Sequence, residues 1–124
     1  MPHEELTIDL RTENEGRVLV FALRGSLDIA TAKSVRAAMT DASEHANQDV
    51  VVDLREVEFI DSTGLGALIG AHKRAAEKHH TLRLVANEGP IERLLTITGL
   101  IRVLALYRSV EDALADRGRI SGSP

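Results

Sequence analysis

The hydrophobic pattern of the chain changes from strict alternation to longer apolar runs separated by helical spacings. Alternation at residues 6–11 predicts a half-buried strand, and a turn signal at 13–16 predicts a hairpin to a second strand. The run at 50–54, apolar apart from Asp53, is typical of a strand buried on both faces. The full prediction is strands at 6–11, 18–23, 50–54, 82–85 and 103–106, and helices at 31–45, 64–78, 91–98 and 110–116.

Helices and strands alternate after the opening hairpin, which implies βαβ crossovers and parallel strands in an α/β fold. The segment at 25–28 is expected to end the second strand, and Pro90 and Gly99 are expected to bound the third helix. No linker divides the chain, so one domain is predicted at 1–124, with its core at about 6–116 and a flexible tail at 117–124. The predicted apolar helix faces are Val35, Ala38, Met39 and Ala42 in the first helix, and Leu65, Leu68, Ile69 and Ala76 in the second.

Composition narrows the function classes. The chain has 124 residues, 44% of them apolar, and a net charge of −4, which argues against a nucleic-acid partner that needs a basic face. Its three aromatic residues, Phe21, Phe59 and Tyr107, offer no stacking platform for bases. Cysteine is absent, the first residues lack a signal-peptide pattern, and no apolar run could span a bilayer. We therefore expect a cytoplasmic protein with no membrane partner.

Function is expected at residues 61–66, Asp-Ser-Thr-Gly-Leu-Gly, where the helix predicted at 64–78 begins. Asp61 or Ser62 can act as the N-cap, because both residue types accept hydrogen bonds from first-turn N–H groups. The same helix start also suits an anion, because its N–H groups and the helix dipole are positive there. The pattern alone leaves a cap, an anion site and a modified serine open.

Two glycines in the first turn of this helix point to a docking surface. Gly64 and Gly66 each cost roughly 1 kcal/mol relative to alanine in a helix interior. We expect them to uncover the backbone so that another molecule can approach closely. Between them, Leu65 is either an exposed apolar contact or part of the core.

Ser62 lacks the sequence surroundings of a catalytic nucleophile. The motif Gly-x-Ser-x-Gly is absent, because Ile60 stands two residues before the serine. His72 follows ten residues later, roughly 15 Å along the predicted helix, too far to act as its base. The sequence leaves His3 and His45 open as bases, although nothing points to them. Phosphate-binding and dinucleotide-binding glycine motifs are absent, and the adjacent His79 and His80 lack metal-ligand spacing. We predict a protein that is not an enzyme and that has no cofactor and no metal site.

Three segments together resemble one known family. Residues 51–66 resemble the signature of the STAS domain, most of all that of bacterial anti-sigma factor antagonists of the sporulation and general-stress type. Residues 25–32, Gly-Ser-Leu-Asp-Ile-Ala-Thr-Ala, resemble that family's Gly-Glu-Leu-Asp…Thr-Ala segment, and residues 90–100 resemble its late helix and Gly-Leu turn. The resemblance covers residues 6–116 and implies a mixed, mostly parallel sheet of about five strands with helices mainly on one face.

The resemblance assigns roles to individual residues. It implies that Ser62 is phosphorylated by a partner protein, that Asp61 sits beside it at the kinase interface, and that Asp28 lies close to it. Ser26 stands where the family commonly has glutamate, and Thr63 is expected to be an auxiliary N-cap and not a second phosphorylated residue. The partner-binding residues implied are Asp28, Asp61, Ser62, Thr63, Gly64, Leu65 and Gly66.

The resemblance also implies a regulatory function. The family's antagonists bind an anti-sigma factor that is also a serine kinase, and thereby release a sigma factor. Phosphorylation of Ser62 would switch this off, and a serine phosphatase acting on phospho-Ser62 would reset it. The free protein is expected to be a monomer or a weak dimer. The alternative is a STAS subunit of another system, such as a stressosome or an accessory protein of lipid or anion transport.

Overall fold

The computed structural model describes residues 6–45 and 48–120, with only the backbone at 42–45. Its five strands form one sheet in the order β1-β2-β3-β4-β5, with β1 antiparallel to β2 and the other neighbours parallel. This confirms the predicted α/β class and the mixed, mostly parallel sheet. The elements are β1 Thr7–Glu13, β2 Val18–Leu27, α1 Ala32–His45, β3 Asp49–Ile60, α2 Ser62–Glu77, β4 Leu82–Val85, α3 Pro90–Ile97, a 3₁₀ turn Leu100–Arg102, β5 Ala105–Tyr107 and α4 Val110–Ala115.

The sheet carries its helices mainly on one face, as expected. Successive parallel strands are neighbours, and α1, α2 and α3 all contribute side chains to one apolar cluster on the same side of the sheet, as right-handed crossovers require. The larger core lies beneath these helices, whereas α4 covers a smaller apolar cluster on the opposite face. The larger core includes Phe21, Val35, Val52, Leu68, Leu84 and Leu95; the smaller includes Val20, Val51, Val85, Tyr107, Val110 and Ala113.

Strands β2 and β3 are longer than predicted. The expected break at residues 25–28 is wrong, because β2 continues to Leu27 through register shifts near Arg24 and Gly25. Strand β3 continues past Leu54 to Ile60, since its added charged residues face solvent while Val57 and Ile60 stay buried. The two strands therefore end side by side, with Leu27 opposite Ile60.

Helix α2 buries a different face from the one predicted. Leu68 is buried as expected, but Leu65 and Ile69 are only partly buried and Ala76 is exposed. Small side chains allow close packing of the helix, so its buried stripe consists of Gly64, Ala67, Leu68, Ala71 and Ala75. In α1, Val35 and Met39 are buried and Ala38 is partly buried, whereas the side chain of Ala42 lies outside the described residues.

Helix α3, predicted at 91–98, spans Pro90–Ile97 and so begins and ends one residue earlier than predicted. Pro90 stands at its first turn, and Gly99 follows it with a left-handed φ of 78°. The predicted flexible tail lies partly outside the described residues, which end at 120. Within the described part it is attached to the fold: the Ile120 N–H donates to the Leu106 carbonyl at 2.7 Å, and the Ile120 side chain packs against the larger core.

Tyr107 supplies a spectroscopic test of the smaller core. It is 1% exposed and its hydroxyl donates to Asp116; burial, together with the Asp116 carboxylate, raises the pKa of Tyr107 from 10.0 to about 12. The contribution of the protonated Tyr107 hydroxyl to the free energy of unfolding is therefore complete below pH 10.0 and is lost as the pH rises through about 12. The protein has one tyrosine and no tryptophan, so we expect a single tyrosinate absorbance transition as the pH is raised. At pH 11 the ionised fraction of Tyr107 should be several-fold smaller in the folded protein than in the protein unfolded by urea. A midpoint that urea does not move would contradict this.

Candidate functional site

The residues singled out in the sequence meet at the carboxyl ends of β2 and β3. The loop after β2, residues 28–31, leads into α1, and Asp61 leads from β3 directly into α2. Because the two strands are parallel neighbours, both connections lie at the same edge of the sheet. In open α/β sheets this edge is the usual place for binding sites.

Asp61 links the two connections through its side chain. One carboxylate oxygen, Oδ1, accepts from the Gly64 N–H at 2.9 Å and so caps α2; the other, Oδ2, accepts from the Ile29 N–H at 3.0 Å. The Asp61 N–H in turn donates to the Leu27 carbonyl at 3.2 Å. The sequence left open whether Asp61 or Ser62 is the N-cap of α2, and in the structure the N-cap is Asp61. Its role is to hold the start of α2 against the β2–α1 loop.

Gly64 is a packing residue, which corrects the sequence interpretation. It is buried, and a Cβ added to it would lie 2.2 Å from the Leu27 carbonyl oxygen, closer than non-bonded atoms approach. The close approach is therefore to the protein's own β2 strand, and Gly64 lies beneath the surface. Gly66 is exposed with open space where a Cβ would be, as a docking position requires.

Asp28 shapes the loop on the other side of the site. Its Oδ1 accepts from the N–H groups of Ala30 and Thr31 at 3.0 and 3.2 Å. The Thr31 hydroxyl donates to the carbonyl of Ser26 at 2.6 Å, which closes the loop further. These bonds fix the conformation in which Ile29 presents its N–H to Asp61. The structure thus brings Asp28 and Asp61 together through the Ile29 backbone.

Ser62 and Thr63 begin α2 at the surface. Ser62 is exposed, and neither hydroxyl makes a hydrogen bond within residues 6–45 and 48–120. The expected auxiliary cap by Thr63 is thus not formed in the described contacts. The Gly64 N–H donates to the Asp61 side chain, and the Leu65 N–H donates to the Asp61 carbonyl oxygen. The N–H groups of Ser62 and Thr63 have no intrahelical partner and remain at the helix start.

Three exposed features beside Ser62 were missed by the sequence analysis. Ile29 is 77% exposed, and Phe59, next to the buried Ile60, is 53% exposed. Lys33 and Arg36 on α1 line an open groove together with Ile29 and Thr63. For Ile29, the sequence signal was an apolar residue within a polar turn segment. Hydrophobic periodicity does not detect such an isolated residue.

Comparison with known proteins decides the family. The STAS domain family model matches residues 9–113. The chain belongs to the STAS domain family. This confirms the sequence-based resemblance, and the site of this STAS protein lies within the matched residues.

Two curated relatives and one solved structure match most of the length of the STAS protein. It is 29% identical over 112 residues to an anti-sigma F factor antagonist of Paenibacillus polymyxa, covering 90% of this chain and 96% of that one. It is 27% identical over 106 residues to an anti-sigma-B factor antagonist of Staphylococcus aureus, covering 86% and 98%. A crystal structure of an anti-sigma factor antagonist from Mycobacterium paratuberculosis matches with a TM-score of 0.80 at 26% identity, covering 90% and 93%.

The structure also bears on metal sites and on membrane spans. In the part of the STAS protein that the structure describes, no three His, Cys, Asp or Glu side chains are grouped to hold a metal ion. Among those same residues, no helix has the length and apolar character needed to cross a membrane.

Proposed function

We propose that this STAS protein is an anti-sigma factor antagonist that is switched by phosphorylation of Ser62. Unmodified, it binds an anti-sigma factor that is also a serine kinase, and so frees a sigma factor in the cytoplasm. Phosphorylated, it releases that partner until a serine phosphatase removes the phosphate. The observation that carries the proposal is the exposed Ser62 at the start of α2, whose hydroxyl has no hydrogen bond to any described residue. The names of the curated relatives support it.

The geometry suits a residue that is modified better than one that catalyses. A nucleophilic serine needs a base within hydrogen-bond reach. His72 lies ten residues further along the continuous helix α2, a separation of roughly 15 Å at the helical rise. Asp61 is next to Ser62 in sequence, but both of its carboxylate oxygens already accept backbone N–H groups. Ser62 is accessible to an enzyme, and the side chains that the structure describes supply no catalytic partner for it.

The proposed docking surface combines both connections at the sheet edge. Its directly exposed members are Ser62, Gly66 and Ile29, with Thr63 and Leu65 partly buried beside them. Asp61 and Asp28 serve it by holding the two connections in position. The groove is lined by two cations, Lys33 and Arg36, and one carboxylate, Asp41, and this excess of positive charge favours an acidic stretch on the partner. Gly64 supports this surface from beneath.

Phosphorylation at this position changes binding more than folding. A phosphoserine adds about −1.5 to −2 charges and three acceptor oxygens. At the free helix start, the N–H groups of Ser62 and Thr63 and the helix dipole favour that charge by roughly 0.3–1 kcal/mol. In a docked interface the phosphate must lose water beside Asp61, and a buried unpaired charge costs several kcal/mol. The second effect is larger, so the phosphorylated protein stays folded and releases its partner.

Incubation with the kinase partner and ATP tests the proposal. We expect phosphate on Ser62, mapped by mass spectrometry of the proteolysed protein, and its removal by the cognate serine phosphatase. Ser62→Ala should take up no phosphate, whereas the control Thr96→Ala, which changes an exposed threonine on α3, should be modified to the same extent as the unaltered protein. Phosphate on Thr63, on another residue or on none would defeat the mechanism.

A further inference from the structure

Strand β1 has an open outer edge. It pairs with β2 on one side over Thr7–Glu13, and no described strand pairs with its other side. Most of its residues are exposed, including Leu10 at 53%. An open strand edge presents unpaired backbone N–H and C=O groups and can pair with another chain. Natural edges are often protected by charges, so the charges on β1 decide what can pair with it.

The charges of β1 are complementary to a second copy of the same strand. In a continuous antiparallel sheet, residues directly opposite each other lie on the same face. If a two-fold axis passes between the two Leu10 residues, Asp9 of each copy lies opposite Arg11 of the other. Leu10 then lies opposite its own copy, and Thr7 lies opposite Glu13. The pairing covers all of β1, forms two cross-strand ion pairs and places the two exposed leucines together.

Other symmetric registers are worse on the same criteria. Moving the axis to Asp9 or to Arg11 places two like charges directly opposite each other, which is destabilising. Moving it to Thr12 pairs Arg11 with Glu13 but shortens the paired stretch to residues 11–13. Moving it to Ile8 shortens the stretch to 7–9 and forms no ion pair. The sequence of β1 therefore selects one self-complementary register.

We propose that this STAS protein forms a weak symmetric dimer through β1, joining two five-stranded sheets into one. Arg11 already forms an ion pair with Glu13 of its own strand at 2.8 Å. A guanidinium has five N–H donors, so it can contact that glutamate and Asp9 of the second copy together. Leu10 pairs with Phe21, six residues before Leu27, which puts the dimer axis roughly 20 Å from the Ser62 site. Both docking surfaces remain open in the dimer.

Charge-exchange variants test the dimer directly. We expect the sedimentation-equilibrium mass of the unaltered protein to rise above the monomer value between roughly 10 µM and 1 mM, the range of a small interface. Asp9→Arg and Arg11→Asp should each associate at least about tenfold more weakly, since like charges then face each other. An equimolar mixture of the two should associate again, because positions 9 and 11 are then both basic in one strand and both acidic in the other. The double variant should also dimerise alone.

Each outcome of this experiment decides the proposal. A monomer at every concentration would mean that the charges protect the edge, and the proposal is wrong. Association that the single variants leave unchanged, or that mixing does not restore, would place the interface elsewhere and also overturn it. Circular dichroism of each variant verifies that it is folded, as expected for substitutions at exposed positions. Binding of the anti-sigma factor should be unaffected, so a failure here is distinguishable from a failure of the proposed function.

Discussion

Ser62→Asp will weaken binding of the anti-sigma factor by more than about a hundredfold, whereas Ser62→Ala will bind as the unaltered protein does. An aspartate at this position puts a permanent charge beside Asp61 in an interface that excludes water. A penalty of roughly 3 kcal/mol corresponds to that loss of affinity, and burial of an unpaired charge reaches or exceeds it. The alanine variant removes only a hydroxyl that has no hydrogen-bond partner within the described residues. Titration calorimetry of each variant with the partner measures the difference.

A matched control distinguishes the effect of a charge at position 62 from the effect of an added charge elsewhere on the protein. Thr96 is exposed on α3, so Thr96→Asp adds the same charge on a different helix and should bind with nearly unchanged affinity. The stability of Ser62→Asp should stay within about 0.5 kcal/mol of the unaltered protein, since the substitution is at an exposed helix start. Equal binding by Ser62→Ala and Ser62→Asp would contradict a charge-based switch. Loss of folding by Ser62→Asp would contradict the claim that phosphorylation leaves the fold intact.

Gly64→Ala will lower the free energy of unfolding by about 2–4 kcal/mol. The added Cβ would lie 2.2 Å from the Leu27 carbonyl oxygen and 2.9 Å from the Leu27 carbonyl carbon. Backbone atoms cannot rotate away, so the start of α2 must move from β2. That movement strains the Asp61 hydrogen bonds to Gly64 and Ile29 as well. The gain in helix propensity, roughly 1 kcal/mol, offsets only part of the loss.

Gly66→Ala provides the control on the same helix turn. No atom lies near its Cβ position, so the helix-propensity gain stands alone and stability should rise by up to about 1 kcal/mol. Urea unfolding of both variants measures the contrast. Gly64→Ala as stable as Gly66→Ala would show that α2 does not pack against Leu27 as described. Since Gly66 is also a proposed docking position, its alanine variant can lose affinity while it gains stability.

The sequence predicted the order of elements better than their ends. The strand at 82–85 has the predicted bounds, because its apolar run is short and flanked by polar residues. Strand β3 was predicted too short, because Arg55, Glu56 and Glu58 interrupt the apolar run although only their side chains face water. Its length depends on pairing with β2, which is a property of the folded sheet. Helix α2 was given the wrong buried face, because glycine and alanine carry little hydrophobic signal.

The candidate site was located by the sequence, but its internal contacts were not. Residues 61–66 stood out by residue type and spacing, and the family resemblance named Ser62 within them. The hydrogen bond from Ile29 to Asp61 joins residues 32 apart in the chain, and the steric requirement at Gly64 comes from Leu27. Neither contact leaves a local pattern, because each forms only when β2 and β3 end together. The only local signal for the exposure of Ile29 was its place within a polar turn segment.

The two-sided hydrogen bonding of Asp61 has a consequence for the kinetics of recognition. Ile29 and Ser62 belong to separate connections, and each would be free to move if the connections were independent. Because one carboxylate contacts both, the free protein already holds the two in a single arrangement. Ordering a loop during association costs conformational entropy and slows productive encounter. A surface fixed in advance can therefore bind partners quickly, and the proposed phosphorylation of Ser62 would act mainly on how long each partner stays bound.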